Sequence, residues 1–171
     1  MLPLVLPRPA VAAFTAGSEE VLLAKKEDRQ LAPGAYGLVE LRAGTTTDPT
    51  VLTLMGGDFD VAELVLHHRS RLECADPCRV RVAGRLAAGQ NTYLGPAGGS
   101  GLSAADVEVL VTGINGPSGM LDATPKAATV GHDSTVVARA HVPHGTLLLH
   151  QGTVATGQFA ARDVQIGTGV V

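Results

Sequence analysis

At 171 residues and 17.5 kDa, the chain is the length of one domain and can bury a real core. Hydrophobic residues make up 45% and aromatics only 3%, with no Trp, so Val, Leu and Ala must fill an interior too apolar for a disordered chain. A net charge of −3, with no basic cluster interleaved with aromatics, argues against a nucleic-acid partner, and no apolar run reaches the roughly 18–20 residues of a membrane span.

The first fourteen residues, Met1 to Phe14, are apolar and carry Pro3, Pro7 and Pro9 without a basic leader. They make a poor signal peptide, although Ala10-Val11-Ala12 resembles a cleavage site, and they read as an extended arm on a mature or excised segment. This gives an arm over residues 1–17 and a single β domain over 18–171. Ser18 to Lys26 has Glu19, Glu20, Lys25 and Lys26 at helical charge spacing, but Val21-Leu22-Leu23 reads equally as an opening strand. Short Val/Leu/Thr-rich runs then recur between Gly-, Pro- and Asp-containing turns: Leu38 to Arg42, Thr50 to Leu54, Glu63 to His67, Arg79 to Ala83, Asp106 to Thr112, Thr135 to His141, Thr146 to His150 and Asp163 to Gly167. Val80-Arg-Val82, Val107-Glu-Val109 and Val164-Gln-Ile166 each alternate one dry and one wet face. Gly95 to Gly101 is a loop, and Ser103-Ala-Ala-Asp106 a cap-like turn.

Two cysteines, Cys74 and Cys78, flank Ala75-Asp76-Pro77, a turn former that can bring them within disulfide range. A disulfide implies an oxidising compartment; the rival readings are free thiols or half of a metal site whose other ligands are not beside the pair. In the C-terminal quarter, Gly145-Thr-Leu-Leu, Gly152-Thr-Val-Ala and Gly167-Thr-Gly-Val repeat a small residue, Thr and then an apolar position. Such short imperfect repeats predict an all-β fold, a single-domain parallel β-helix of about six to eight coils of roughly 20 residues, whose narrow interior suits Ala, Val, Leu and Thr. An antiparallel β-sandwich is the alternative, because Asn115-Gly116 can form a two-residue hairpin turn.

The runs Leu31-Ala-Pro-Gly-Ala-Tyr-Gly37 and Arg71 through Gly84, with the stretch from Thr124 through Gly157 to Gly167, resemble a group of uncharacterised exported bacterial proteins with a right-handed β-helix, some of them pilus-associated or surface-anchored. The resemblance spans most of residues 21–171. It implies a right-handed coil and an extracellular or cell-surface location, and it carries over no catalytic residues.

Several constellations invite chemistry. His132-Asp133-Ser134 holds the residue types of a hydrolase triad, but adjacent residues cannot converge as one. His141, His144, His150 and His67 can align as a surface histidine ladder. The pairs Asp58/Asp60 and Asp106/Glu108 each share a strand face, as a Ca²⁺ site or a glycan-cleaving pair would. Thr45-Thr46-Thr47 invites an ice-binding reading that the ragged Thr spacing opposes.

The expectation is therefore a non-enzymatic structural solenoid with no cofactor, whose partner is a further copy of itself. It assembles head to tail into filaments or forms a surface element, with Val164, Ile166, Val170 and Val171 of one copy against the first coil of the next and Leu2, Leu4, Leu6, Val11 and Phe14 across the joint. A polysaccharide-binding or polysaccharide-cleaving β-helix is the second reading.

Overall fold

The computed structural model describes residues 12–171. The chain is all-β and winds into a parallel β-solenoid of about six turns. Every strand pairing among the described residues is parallel, and each coil has three sides, which we number in chain order. On the first side, Val21, Val39, Leu64, Leu86, Ala128, Leu147 and Val164 stack as register partners. On the second, Arg29, Leu52, Leu72, Leu94, Val136 and Ala155 do so. On the third, Gly34, Phe59, Val80, Val109, Ala140 and Phe159 form the column. Residues of one column project into the same narrow interior, which is why branched aliphatic residues, and very few rings, fill it.

The corner between the first and second sides is the repeating device. Lys26, Arg69, Asn91, Asp133, Gly152 and Gly169 take positive φ there, between 54° and 72°. Where the chain continues inward, a buried hydroxyl follows, as in Ser70, Thr92, Ser134 and Thr153. Ser70 Oγ donates to the His67 carbonyl at 2.6 Å, and Thr153 Oγ1 to that of His150 at 2.7 Å. Thr92 Oγ1 and Ser134 Oγ both donate to Gly89 O, at 3.2 and 3.0 Å. Thr50, in register with Ser70, accepts from the Lys26 N–H at 2.8 Å. Each side chain satisfies a turn group that the interior would otherwise leave unpaired.

The antiparallel alternative is overturned. Asn115 makes no hairpin; within the segment 112–127 it is fully buried and saturated with hydrogen bonds. Its Oδ1 accepts from Ala127 N at 3.1 Å and Thr146 N at 2.9 Å, while its Nδ2 donates to Met120 O at 3.1 Å and Thr146 Oγ1 at 2.7 Å. Val21–Leu23 is a strand, so the helical charge spacing of residues 18–26 is incidental: burial of Val21 and Leu23 decides. The two runs expected at 135–141 and 146–150 form one strand, Thr135–Leu149, that turns a corner at an irregularity between Val142 and Thr146. Ser103 does cap a short 3₁₀ turn, Ala104–Asp106, through a reciprocal capping box. Cys74 and Cys78 are disulfide-bonded across the corner between the second and third sides, with Cα atoms 6.1 Å apart and both side chains buried.

Candidate functional site at the ends of the solenoid

The two ends differ in chemistry. At the first coil, Val21 and Leu23 are only 2% and 1% exposed. The inward register position beside Leu52 is taken by Arg29, whose guanidinium donates through Nε and Nη2 to Glu27 Oε1 at 3.0 and 2.7 Å. Glu27 Oε2 in turn accepts from the Ala24 N–H at 2.7 Å. That backbone bond, then the bond from Arg29, holds the Glu27 carboxyl below its usual range. Tyr36 fills the interior beneath, its hydroxyl donating to Ala32 O at 2.7 Å, and burial raises its phenol above the ordinary value. The first coil therefore carries a charged roof over a closed apolar core.

At the last coil the same columns are open. Val164 and Ile166 stack on Leu147 and Leu149, which are 2% and 4% exposed, yet they are themselves 45% and 65% exposed. Val171, whose amide and carbonyl bond to Thr153 O and Ala155 N, is 84% exposed, and Val154 is 43% exposed. Among the described residues, the strand Val154–Ile166 pairs only with Thr135–Leu149, and beyond the bond from Ala155 N to Val171 O its outer backbone edge has no partner strand. The segment 112–127 is tied to this coil by Arg162, whose Nη1 donates to Gly119 O at 2.7 Å. It adds exposed Ile114, Met120 and Leu121. Of the nine large exposed hydrophobics among the described residues, these seven belong to the last coil or to the segment bonded to it. Apolar exposure concentrated in this part of the chain is a feature of interaction surfaces.

The structure thus places Val164 and Ile166 on the first side of the last coil and Val171 against its second side, with Val170 half-buried. Phe14 is elsewhere: its ring lies 5.3 Å from the Arg81 guanidinium on the outside of the third side. Leu2, Leu4, Leu6 and Val11 fall outside the described residues. The sequence reading missed Glu27 and Arg29; the signal was a charged residue at the start of a column that is apolar in every later coil.

The carboxylates singled out for chemistry are engaged on the third side's outer face. Asp58, Arg79, Glu108 and Arg139 alternate in register up the stack. Arg79 contacts Glu108 at 3.0 Å and Asp58 at 3.8 Å, and Arg81 contacts Asp60 at 2.5 Å and Asp58 at 3.2 Å. The bond from Glu108 raises Arg79 above its ordinary range. Asp106 serves the capping box, and its carboxyl is lowered by the Ser103 bonds.

The histidines divide likewise. His67 Nε2 meets Glu40 Oε1 at 2.7 Å, and His132 and His150 face each other with ring centres 4.8 Å apart. No group of three or more His, Cys, Asp or Glu side chains able to hold a metal occurs among the described residues. The triad-like His132-Asp133-Ser134 is one of the corners, with Asp133 at the positive-φ position and Ser134 buried. No described helix is long and apolar enough to cross a membrane. Searches for a matching protein family, curated protein or solved structure find none.

Proposed function

We propose that the chain is a non-enzymatic structural element, exported to an oxidising compartment, that associates with further copies of itself through its last coil. The observation that carries this reading is the contrast between Leu147 and Leu149, 2% and 4% exposed beneath the next coil, and Val164 and Ile166, 45% and 65% exposed in the same columns. An open solenoid end of this kind combines unpaired backbone with exposed core, the combination that templates strand addition.

The magnitudes are compatible with reversible association. Burying about 400 Å² of apolar surface at about 25 cal/mol per Å² gives a gross gain near 10 kcal/mol, against an association cost of about 4–15 kcal/mol. The disulfide supports export, because such bonds persist chiefly outside reducing cytosol. The polysaccharide-cleaving reading loses its best candidates, since Asp58, Asp60 and Glu108 each sit against an arginine and Asp106 against Ser103.

Light scattering of the purified chain tests the proposal. We expect an average mass above the monomer that rises with concentration, and a return to monomer in the double variant Val164→Glu, Ile166→Glu. Leu22→Glu, which removes an exposed leucine on the outer wall of the first coil, should leave the mass unchanged. Equal loss in both variants, or a monomer throughout, overturns the assignment.

A further inference from the structure

We propose that the cleft between the corner 83–85 and the segment 112–127 binds a small zwitterion, an α-amino acid with an apolar side chain, held between Arg85 and Glu63. The site is independent of self-association and follows from how one corner of the coil is built. Residues 83–85 carry the chain from Cys78–Val82 on the third side to Leu86–Ala88 on the first. In the next coil the same corner is replaced by the segment 112–127, which leaves Val107–Val111 and returns to Ala128–Val130. Both runs line a cleft of about 480 Å³, within the size range of small-molecule sites.

Arg85 is the anomaly in that cleft. Its Nε is buried, and no acceptor among the described residues takes its proton. Its guanidinium has lost part of its hydration, and it forms no ion pair among the described residues. Glu63, which also lines the cleft, stands one rung below: Leu64 and Leu86 are register partners, and the Leu64 N–H donates to Arg85 O at 3.0 Å. Glu63 likewise has no ion pair among the described residues. Instead of crossing to Arg85, its side chain lies along Gly84, where an added Cβ would stand 3.2 Å from Glu63 Cγ and 3.6 Å from its Oε1.

Two opposite charges on rungs about 4.8 Å apart, neither neutralised by the other, match a ligand that carries both signs on one carbon. Its carboxylate accepts from the Arg85 guanidinium, whose planar fork suits that group, and its ammonium donates to Glu63. A dianion such as phosphate would gain Arg85 and be repelled by Glu63. The remaining walls select the side chain. Ile114 is 50% exposed, and Pro117 and Pro125 present rings with no N–H to satisfy, so an aliphatic group finds apolar contact there. Gly84 and Gly113 add only backbone to the cleft, and they approach so closely that a Cβ on Gly113 would stand 1.9 Å from Gly84 O.

Titration of the isotope-labelled full chain with L-leucine, N-acetyl-L-leucine and L-leucinamide, followed by backbone amide chemical shifts, tests the site. We expect saturable shifts at residues 83–85 and 113–116 with leucine. Each analogue lacks one of the two charges and should bind at least about tenfold more weakly, the scale of one lost charge-assisted hydrogen bond. Glu63 is exposed, so Glu63→Gln should keep the fold and bind leucine no better than N-acetyl-leucine. Arg85→Gln should bind leucine no better than leucinamide, with circular dichroism to verify that it is folded; if it is not, the Glu63→Gln comparison still decides. Val164→Glu, Ile166→Glu should bind leucine as the parent chain does, whether or not the chain self-associates.

No saturable shift by tens of millimolar leucine overturns the site. Equal affinity for leucine and N-acetyl-leucine in the parent chain makes the cleft a plain carboxylate site and overturns the amino-acid assignment. Shifts centred away from residues 83–85 and 113–116 overturn its location.

Discussion

Asn115 shows how one side chain can decide between two topologies. Read with Gly116 as a dipeptide, it is a hairpin signal; in the folded chain two of its four hydrogen bonds tie the segment 112–127 to Thr146 and two hold the segment together at Met120 and Ala127. Local propensity lost because a buried amide that can satisfy all its donors and acceptors is worth more than a turn preference. Asn115→Ala leaves two backbone N–H groups and the Met120 carbonyl without that partner. We expect it to destabilise by about 2–4 kcal/mol, read from the urea midpoint at unchanged slope. His150 makes a different prediction. Burial lowers its imidazole below the ordinary value, and His132 adds to this. Because the folded chain resists protonation, the unfolded chain binds more protons, and stability must fall as pH drops through the ordinary histidine range near 6.5. The melting temperature should fall between pH 7.5 and 5.5, and His150→Gln should fall less over that interval.

Elements were legible where they obey a period and obscure where they do not. Thr50–Leu54 is the predicted strand residue for residue, and the Gly-Thr-apolar repeats correspond to corners followed by an inward hydroxyl at Thr146 and Thr153. Asp28–Leu31, with exposed Asp28, Arg29 and Gln30, gave no strand signal, because it belongs to the roofing coil and follows none of the core pattern. Ala128–Val130 was hidden by its brevity and by the 112–127 excursion before it. The disulfide was legible because a four-residue separation around Asp-Pro permits it geometrically, and it fixes one corner where other coils use glycines such as Gly56 and Gly57. So short a closed loop stabilises by only about 2 kcal/mol through loop entropy. The double variant Cys74→Ala, Cys78→Ala should lose about that much in urea unfolding while keeping the far-ultraviolet spectrum of the solenoid; loss of the β spectrum would show that the bond holds more than its own corner.

At the scale of the whole molecule, a solenoid is nearly one-dimensional: each coil is stabilised by its neighbours, and an end coil has one neighbour instead of two. Which end is firm was not readable from the sequence, since it turns on whether Arg29 or a valine occupies the first inward position of a column. With the first coil roofed and the last open, protection against hydrogen exchange should rise from Val154–Ile166 inward and remain high through Val21–Leu23. Apart from Ala155, whose N–H bonds to Val171 O, amides of Val154–Ile166 that point away from Thr135–Leu149 have no strand to bond among the described residues and should exchange within seconds in dilute solution. If the tail is where copies meet, those amides alone gain protection as concentration passes the dissociation constant, because the edge then acquires a bonding partner. Hydrogen exchange read by mass spectrometry at about 1 µM and about 500 µM separates the cases. Concentration-dependent slowing confined to peptides covering 154–171 is the expected outcome. Uniform slowing along the chain would mean that association stabilises the fold as a whole without using this edge, and no change would mean that the open coil meets nothing.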